Sequence, residues 1–485
     1  MKKKINRLKR GTLNGLVVSF TIIIILSLLF FALSCETPDR VTEGDIETVE
    51  GETEESQKKE SVDTEKQEAE ITLWDYLEPK GRLTLMEVID SFMGENDHIR
   101  INVKHFRSQE ELEDQFEAAS LAGAGPELIL LNFDGGQRYV PANVAKEITS
   151  KTISAADYSL FLDGLVEISE YNDRKYIIPF RSFDFLVFLY NKEFIESPPE
   201  NFEEIIEYCK KVNDPGQNIY GFLLNNNEAD WIIPFIGAYG DWIVDYSSDS
   251  LTLANQATIK TMEFLDYLYN QERILPSNLE YSDIKELFKS GNVHMIIDNV
   301  NTVKEYLAAG IDVGVGKIPC PLQSSKNPTP LISGNGFIIN INCYGKELEA
   351  VNEFIKYMLT EEVQVEWTLS TDTFPVLKNI DENSKIRSDE IILSSFQQAK
   401  LCRGKPYDKL IMVIRDAIRD NTKNVISGRM LPEDAALKIQ EDALRLRSGD
   451  VIGEEVEKAG AEDVGGTEET VEEGGAEEPV EEGTE

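Results

Sequence analysis

The chain of 485 residues is poor in the residues that carry most enzymatic and metal chemistry. Its three histidines, His98, His105 and His294, are scattered and form no HExxH motif. A GxSxG nucleophile elbow and a phosphate-binding GxxxxGK[ST] loop are also missing. We therefore predict that the protein is not an enzyme and binds neither a metal nor a cofactor.

Basic residues are scarce, with 48 Lys and Arg against 88 Asp and Glu, and the formal net charge is −40. A surface of this sign repels phosphate backbones, and no basic stripe with interleaved aromatic residues occurs, so nucleic-acid binding is excluded. A secreted glycoside hydrolase would need a pair of carboxylates. An acid-rich chain always contains such pairs, so this enzyme class is kept only as a remote alternative.

Cysteine is also rare. Cys209, Cys320, Cys343 and Cys402 have spacings that fit neither a CxxC redox pair nor a zinc site. Cys209 falls in a helical pattern and Cys343 ends an apolar, strand-like run, which favours buried free thiols. A disulfide between Cys320 and Cys343 is the alternative.

The first 35 residues have the pattern of an export signal. Residues 2–10 carry six Lys and Arg, and residues 16–33 are almost wholly apolar. The segment ends in Cys35, as a bacterial lipobox does, although Ala32 and Leu33 are not its usual residues, and this predicts lipidation of Cys35. Because the apolar run approaches the ~20 residues that span a bilayer, an uncleaved anchor is the alternative. Both place the remainder outside the cytoplasm, on the outer face of the cytoplasmic membrane.

Two further segments have the composition of solvated, self-repelling chain. Residues 36–70 carry about ten net negative charges and residues 451–485 about thirteen, and both have few apolar residues. Such segments cannot bury a core. We predict a disordered acidic linker at 36–70 and a disordered acidic tail at 451–485.

The central region alternates between strand and helix patterns. Residues 71–76 and 99–103 are predicted strands on either side of a helix at 83–93, and the apolar run at 128–131 indicates a buried parallel strand. Helices are predicted at 110–121, 201–212, 346–359, 408–426 and 432–446, with an Asn201/Glu204 capping box. Two α/β domains are expected, since single cores seldom exceed about 250 to 300 residues.

These landmarks, in this order, resemble the extracellular solute-binding proteins of family 1, the maltose-binding-like receptors of ABC importers. The resemblance is carried by Trp74 and by residues 125–130, 176–179, 190–194, 199–205, 288–295 and 427–437. It implies an α/β, two-lobed periplasmic-binding-protein-like type II fold with hinge strands and an interlobe cleft. Lobe 1 would comprise residues 71–182 plus 327–372, and lobe 2 residues 183–326 plus 373–450.

The resemblance also implies a set of ligand-binding residues: Trp74, Tyr76, Glu78, Asp134, Asp184, Glu228, Trp231 and Asn335. Carboxylates accept charge-assisted hydrogen bonds from sugar hydroxyls, and an indole gives a flat apolar platform for the ring. The alternatives are solvated carboxylates, core packing for Trp74 and Trp231, and a turn residue for Asn335. Asn301 stands where maltose receptors have a stacking tryptophan, so a long maltodextrin is not implied.

The function implied is that of an extracytoplasmic solute-binding lipoprotein of an ABC importer. As a monomer it would capture a mono- or oligosaccharide in the cleft and deliver it to the transmembrane permease subunits. A receptor of the same fold for signalling or for a non-sugar solute is the alternative.

Overall fold

The computed structural model describes residues 67–133 and 136–449. The predicted lipidation site Cys35, the tail beyond residue 450 and most of the acidic linker lie outside these residues. The first strand begins at Ala69, two residues before the predicted start of the folded region. Within the described ranges, we find no helix with the length and apolar character that a membrane crossing requires.

Two sheets form the centres of the two lobes. Their strands are β1 (Ala69–Asp75), β2 (Ile99–His105), β3 (Leu128–Asn132), β4 (Ile178–Phe183), β5 (Leu186–Asn191), β6 (Tyr220–Leu223), β7 (Val293–Asn299), β8 (Val313–Gly316), β9 (Leu331–Ile339) and β10 (Arg403–Gly404). Two small hairpins, Glu170–Tyr171 with Arg174–Lys175 and Val244–Asp245 with Ser250–Leu251, lie outside these sheets.

The first sheet has six strands: β2, β1, β3 and β9 are neighbours in this order, and β4 and β10 also pair with β9. β1 runs parallel to β2 and β3, whereas β9 runs antiparallel to β3 and β4. The second sheet has four strands in the order β8-β5-β7-β6. β3 is fully apolar and buried over residues 128–131, which confirms the strand that its composition predicts.

The longer helices flank these sheets. They are α1 (Pro79–Glu95), α2 (Gln109–Leu121), α3 (Phe202–Val212), α4 (Gln256–Asp266), α5 (Tyr281–Lys289), α6 (Gly345–Met358), α7 (Glu361–Ser370), α8 (Glu390–Ala399), α9 (Asp408–Ile426) and α10 (Pro432–Ser448). Shorter helices cover Gly136–Tyr139, Ala155–Tyr158, Asp163–Ser169, Ile233–Ala238, Val303–Ala308 and Ser384–Arg387.

Local sequence signals fix several of these ends. The Asn201 side chain caps α3 by accepting a hydrogen bond from the Glu204 backbone N–H at 3.0 Å. The second hydrogen bond of the predicted capping box differs from the expected one. The Glu204 carboxylate accepts from the Glu200 N–H at 3.1 Å, whereas a capping box would use the N–H of Asn201. Gly428 has φ +68°, a conformation that glycine adopts without strain, and it separates α9 from α10.

One passage of the chain between the two sheets is very short. Only Asp184 and Phe185 separate β4 of the first sheet from β5 of the second. Asp184 has φ +61°, in the left-handed region that aspartate tolerates better than most residues. β10 returns to the six-stranded sheet from within residues 373–450, the range predicted for lobe 2. The residue ranges of the lobes stay a prediction.

Candidate functional site

A polar cluster lies at the end of β1, on the six-stranded sheet. The ladder places Asn335 of β9 opposite Asn132 of β3 on one side and opposite Arg181 of β4 on the other. Asn335 Nδ2 donates to Asn132 Oδ1 at 2.5 Å, and Arg181 Nε donates to Asn335 Oδ1 at 2.5 Å. Tyr76, just beyond β1, donates its hydroxyl to the same Asn132 oxygen. The structure thus brings the predicted residues Tyr76 and Asn335 together.

Glu78 joins this cluster through Arg181, a residue that the sequence did not single out. Arg181 Nη1 and Nη2 donate to the two Glu78 carboxylate oxygens at 2.8 and 2.9 Å. Burial raises the pKa of Glu78, but the hydrogen bonds and charge of Arg181 outweigh it, and the pKa ends below its ordinary value. Burial raises the pKa of Tyr76 to about 12, so this hydroxyl stays a hydrogen-bond donor near neutral pH.

A second group surrounds the short link between the sheets. Asp184 accepts a hydrogen bond from Asn299 Nδ2, at the end of β7, at 2.7 Å. Asp184 and Asn299 line a cavity of about 140 Å³, together with Glu228, Trp231 and Leu331 of β9. Since Leu331 comes from the six-stranded sheet and Asn299 from the four-stranded sheet, this cavity lies at the junction of the two lobes. The predicted residues Asp184, Glu228 and Trp231 therefore share one cavity.

Glu228 is an exposed residue at the edge of this cavity. Partial burial of its carboxyl group raises the pKa, and a hydrogen bond with the Asn225 side chain only partly offsets this. A carboxylate forms a stronger hydrogen bond with a hydroxyl donor than a neutral acceptor does. Glu228 is thus suited to accept hydrogen bonds from a neutral, hydroxyl-rich ligand.

Trp231 is more deeply embedded than a free platform would be. Its side chain is buried, with 6% exposed, and Nε1 donates to the Ile297 backbone oxygen at 2.7 Å. The ring packs against Tyr281, with 5.3 Å between ring centroids. Its indole N–H is already bonded within the protein, so only its ring surface is left to line the cavity.

The same cavity contains an ion pair that sequence reasoning missed. Arg415 Nε and Nη2 donate to the two carboxylate oxygens of Asp230 at 2.7 and 2.5 Å. α9 packs directly on the Ala229–Trp231 turn, which brings these residues together. A second, more open cavity of about 320 Å³ shares Glu228, Asp230 and Arg415 with the first. No local sequence pattern marks this pair, because Arg415 and Asp230 lie 185 residues apart in the chain.

Trp74 packs against β2 and the residue that follows it. Its ring packs 4.9 Å from that of Phe106, and the Lys104 ammonium lies 4.3 Å from the ring centre. Lys104 is its neighbour on β2, so these contacts follow from strand pairing. A ligand-binding role for Trp74 stays a prediction. Asp134 lies outside the described residues, directly after Phe133.

The four cysteines of the described residues are free thiols. Cys209 and Cys343 are buried, as the helical and strand patterns indicated, and Cys402 is buried as well. The alternative disulfide between Cys320 and Cys343 is wrong. Among residues 67–133 and 136–449, His, Cys, Asp and Glu side chains form no group that could hold a metal ion.

Two sheets joined by a short link at residues 184 and 185, with carboxylates at a cavity between them, define a two-lobed α/β binding protein with an interlobe cleft. Residues 87–393 match the family described as bacterial extracellular solute-binding protein, and the chain belongs to this family. It is therefore a binding protein of the extracytoplasmic kind and not an enzyme, as the sequence predicts, and the glycoside hydrolase alternative is set aside.

Known proteins agree with this assignment. The maltotriose-binding protein of Pyrococcus abyssi is 23% identical over 323 residues, 66% of this chain and 70% of the relative. The galactooligosaccharide-binding protein of Bacillus subtilis is 21% identical over 387 residues, 77% of this chain and 89% of the relative. A cyclo/maltodextrin-binding protein solved with maltotetraose has 20% identity and a TM-score of 0.68, covering 79% of this chain and 98% of that one, which shows the fold.

Proposed function

We propose that this protein captures a carbohydrate in the interlobe cleft and delivers it to the membrane permease of an ABC importer. The observation that carries the proposal is the shared cavity of Asp184 and Glu228, two carboxylates at the junction of the lobes. Sugar hydroxyls are good donors to carboxylates, and hinge closure around a ligand is how binding proteins of this architecture work. The names of the relatives from Pyrococcus abyssi and Bacillus subtilis, both oligosaccharide-binding proteins, support the same ligand class.

The cavities also suit a small ligand. The larger one, about 320 Å³, falls at the lower end of the range of about 300 to 1,000 Å³ typical of small-molecule sites. A site whose buried groups are matched to hydroxyls discriminates strongly, because each unpaired buried group costs about 1 to 3 kcal/mol. Such a site would select one sugar among its epimers.

The ligand is found by thermal-shift screening of the full-length protein against mono- and oligosaccharides, amino acids, polyamines and sugar phosphates. A ligand that binds only the folded state raises the melting temperature by mass action. We expect a rise with at least one neutral carbohydrate. A rise with amino acids or polyamines alone would replace the sugar with another solute, and the fold assignment would stand.

We further propose that Cys35 carries the lipid that holds the protein at the outer face of the cytoplasmic membrane. Mass spectrometry of the protein from its native membrane should find a lipid-modified N-terminal peptide that begins at Cys35. Cys35→Ser should remove this modification. A mature chain that retains residues 1–34 would show the uncleaved anchor instead.

A further inference from the structure

An exposed, uncharged surface lies at the end of the six-stranded sheet where β1 begins. It consists of residues 118–126, at the end of α2 and before β3, and residues 340–345, after β9, and we call it the neutral surface. Its two large apolar residues, Leu121 and Tyr344, are 65% and 61% exposed. We propose that the neutral surface rests on the lipid bilayer to which the protein is attached. The inference rests on the proposed membrane attachment.

The two segments form one continuous surface. Asn340 Nδ2 donates to the Pro126 backbone oxygen at 2.8 Å, and Asn342 Nδ2 donates to the Ser120 oxygen at 2.7 Å. These bonds hold the turn after β9 against the end of α2. Residues 121–125 are all exposed, so their apolar and glycine surface faces outward. A neutral apolar patch on a chain with a net charge of −40 indicates a surface that a partner covers.

The side chains of this surface are of the kinds that occur where a bilayer meets water. Tyr344 combines an apolar ring with a polar hydroxyl, and such rings are enriched at the level of the lipid headgroups. Lys146 Nζ lies 3.7 Å from the centre of this ring, and Lys146 forms no ion pair with another residue of the described ranges. Its charge is therefore left for a lipid phosphate, while Leu121 can enter the boundary of the acyl chains.

The place where the described chain begins favours a bilayer over other partners. β1 begins at Ala69, and Lys346 Nζ, next to the neutral surface, donates to the Glu68 backbone oxygen at 2.7 Å. The segment that leads back to Cys35 is therefore attached at this end of the sheet. A flexible linker over residues 36–66 would have an end-to-end distance of about 30 Å. Such a tether keeps the neutral surface at a high effective concentration near the bilayer, so a weak contact is enough.

This contact would also orient the cleft. β1 and β3 run parallel from the neutral surface to the polar cluster of Tyr76 and Asn132 at the opposite end of the sheet. The seven residues of β1 span about 23 Å. With the neutral surface on the bilayer, the polar cluster points away from the membrane, towards arriving solute.

The test measures how fast acetic anhydride acetylates Lys146 in the lipidated protein on vesicles of phosphatidylcholine and phosphatidylglycerol in equal amounts. A bilayer that covers the neutral surface shields this amine. The reference is the same chain beginning at Glu36, without lipid, in the same vesicle suspension. Lys423, exposed on α9, reports any general change in reactivity.

Two double variants separate the proposed contact from a general effect of tethering. Leu121→Ser with Tyr344→Ser removes the apolar side chains of the neutral surface. Leu437→Ser with Leu444→Ser is the matched control, because both leucines are exposed on α10, at 60% and 49%. Circular dichroism checks the folding of each variant.

We expect Lys146 of the wild type to be acetylated at least about threefold more slowly on vesicles than in the reference, with Lys423 unchanged. The variant at 121 and 344 should show equal rates in both states, and the α10 variant should behave as wild type. Equal wild-type rates, or slowing that persists in the variant at 121 and 344, would overturn the inference. Slowing in the reference that grows with protein concentration would assign the surface to a second copy of the chain instead. If the double variant does not fold, Leu121→Ser alone decides by the same criteria.

Mass spectrometry of the native protein distinguishes this inference from the proposed attachment. A native chain with neither a lipid on Cys35 nor a retained leader would refute the attachment. Equal acetylation rates in a chain with verified lipid would refute only the bilayer contact. Carbohydrate binding is a separate measurement and is untouched by either outcome.

Discussion

The Arg181 guanidinium, buried on β4, holds both carboxylate oxygens of Glu78, which lies 103 residues earlier in the chain. The same side chain donates to Asn335 on β9. Arg181 thus connects the end of β1 to the strands beside the crossing between the lobes. It comes three residues before Asp184, so the polar cluster and the cavity are linked through one short stretch of backbone.

Replacing Arg181 with alanine should destabilise the protein by about 2 kcal/mol, because the Asn335 oxygen loses its buried donor. Glu78 is half exposed and can regain water, so its share of the loss is small. Arg181→Lys should recover only part of the loss, since lysine lacks the bidentate fork. Urea denaturation measures the change. The control is Arg82→Ala, because Arg82 is exposed on α1. If Arg181→Ala and Arg82→Ala unfold at the same urea concentration, the polar cluster does not stabilise the fold.

The raised pKa of Glu228 predicts opposite effects on binding and stability. As the pH falls through this pKa, above the ordinary value of 4.5, the carboxylate protonates and sugar affinity should fall. A raised pKa in the folded state also means that the ionised form lowers stability above the unfolded-state pKa. Glu228→Gln should therefore bind more weakly and melt slightly higher at pH 7.

Calorimetry and melting curves between pH 7.5 and 5 check both effects. Glu87→Gln, an exposed carboxylate on α1, is the control and should follow wild type. The variant Glu228→Gln should show a flatter affinity profile than wild type. If the affinity of Glu228→Gln falls as steeply as that of wild type when the pH is lowered, another group is responsible for the pH dependence.

Trp231 should behave as a core residue that lends one surface to the cavity. Trp231→Phe keeps a ring but leaves the Ile297 oxygen unpaired, which should cost about 1 kcal/mol of stability and change affinity less than about threefold. Trp231→Ala should cost about 3 to 5 kcal/mol. Trp242→Phe is the matched control, because Trp242 is buried and its N–H bonds to Tyr246 at 3.1 Å. A tenfold affinity loss in Trp231→Phe alone would show that the indole N–H serves the ligand.

An exposed pair between the lobes should make ligand affinity depend on salt. Asp372, just after α7, pairs with Lys304 on the helix that follows β7, and with Lys80 of α1 at 3.2 Å. Exposed pairs are worth about 0 to 1 kcal/mol and are screened by salt. Asp372→Asn should weaken binding by up to about fivefold at 50 mM salt and by little at 500 mM. Glu286→Gln, which breaks a pair within α5, is the control and should show the salt dependence of wild type. If Asp372→Asn also shows the wild-type salt dependence, the Asp372 pairs do not contribute to ligand binding.

The sequence predicts most elements of the fold because their apolar periodicity is local. α9 is predicted at 408–426 and found at Asp408–Ile426, since its apolar face and the following Gly428 define both ends. β10, of two residues, carries no periodic signal, and its pairing with β9 is set by tertiary contacts. The capping box at Asn201 also differs in detail, because the Glu204 carboxylate accepts from the Glu200 N–H instead of the Asn201 N–H.

The site is predictable only in part, for a related reason. Tyr76, Glu78, Asp184 and Glu228 follow strand ends or sit in a family landmark, where the resemblance places ligand contacts. Arg181 and Arg415 have no such signal, because their partners lie 154 and 185 residues away in sequence. In a chain with 48 Lys and Arg, only the folded arrangement shows which cations face the cleft.

The most direct test of carbohydrate capture is a calorimetric titration of the full-length protein with the carbohydrate that gives the largest thermal shift. Wild type should bind it without hydrolysing it, and Asp184→Asn combined with Glu228→Gln should weaken binding at least a hundredfold. The exposed pair Glu87→Gln and Asp90→Asn, on α1, should leave binding unchanged. Undiminished affinity in the cleft variant would place the ligand elsewhere and contradict the account.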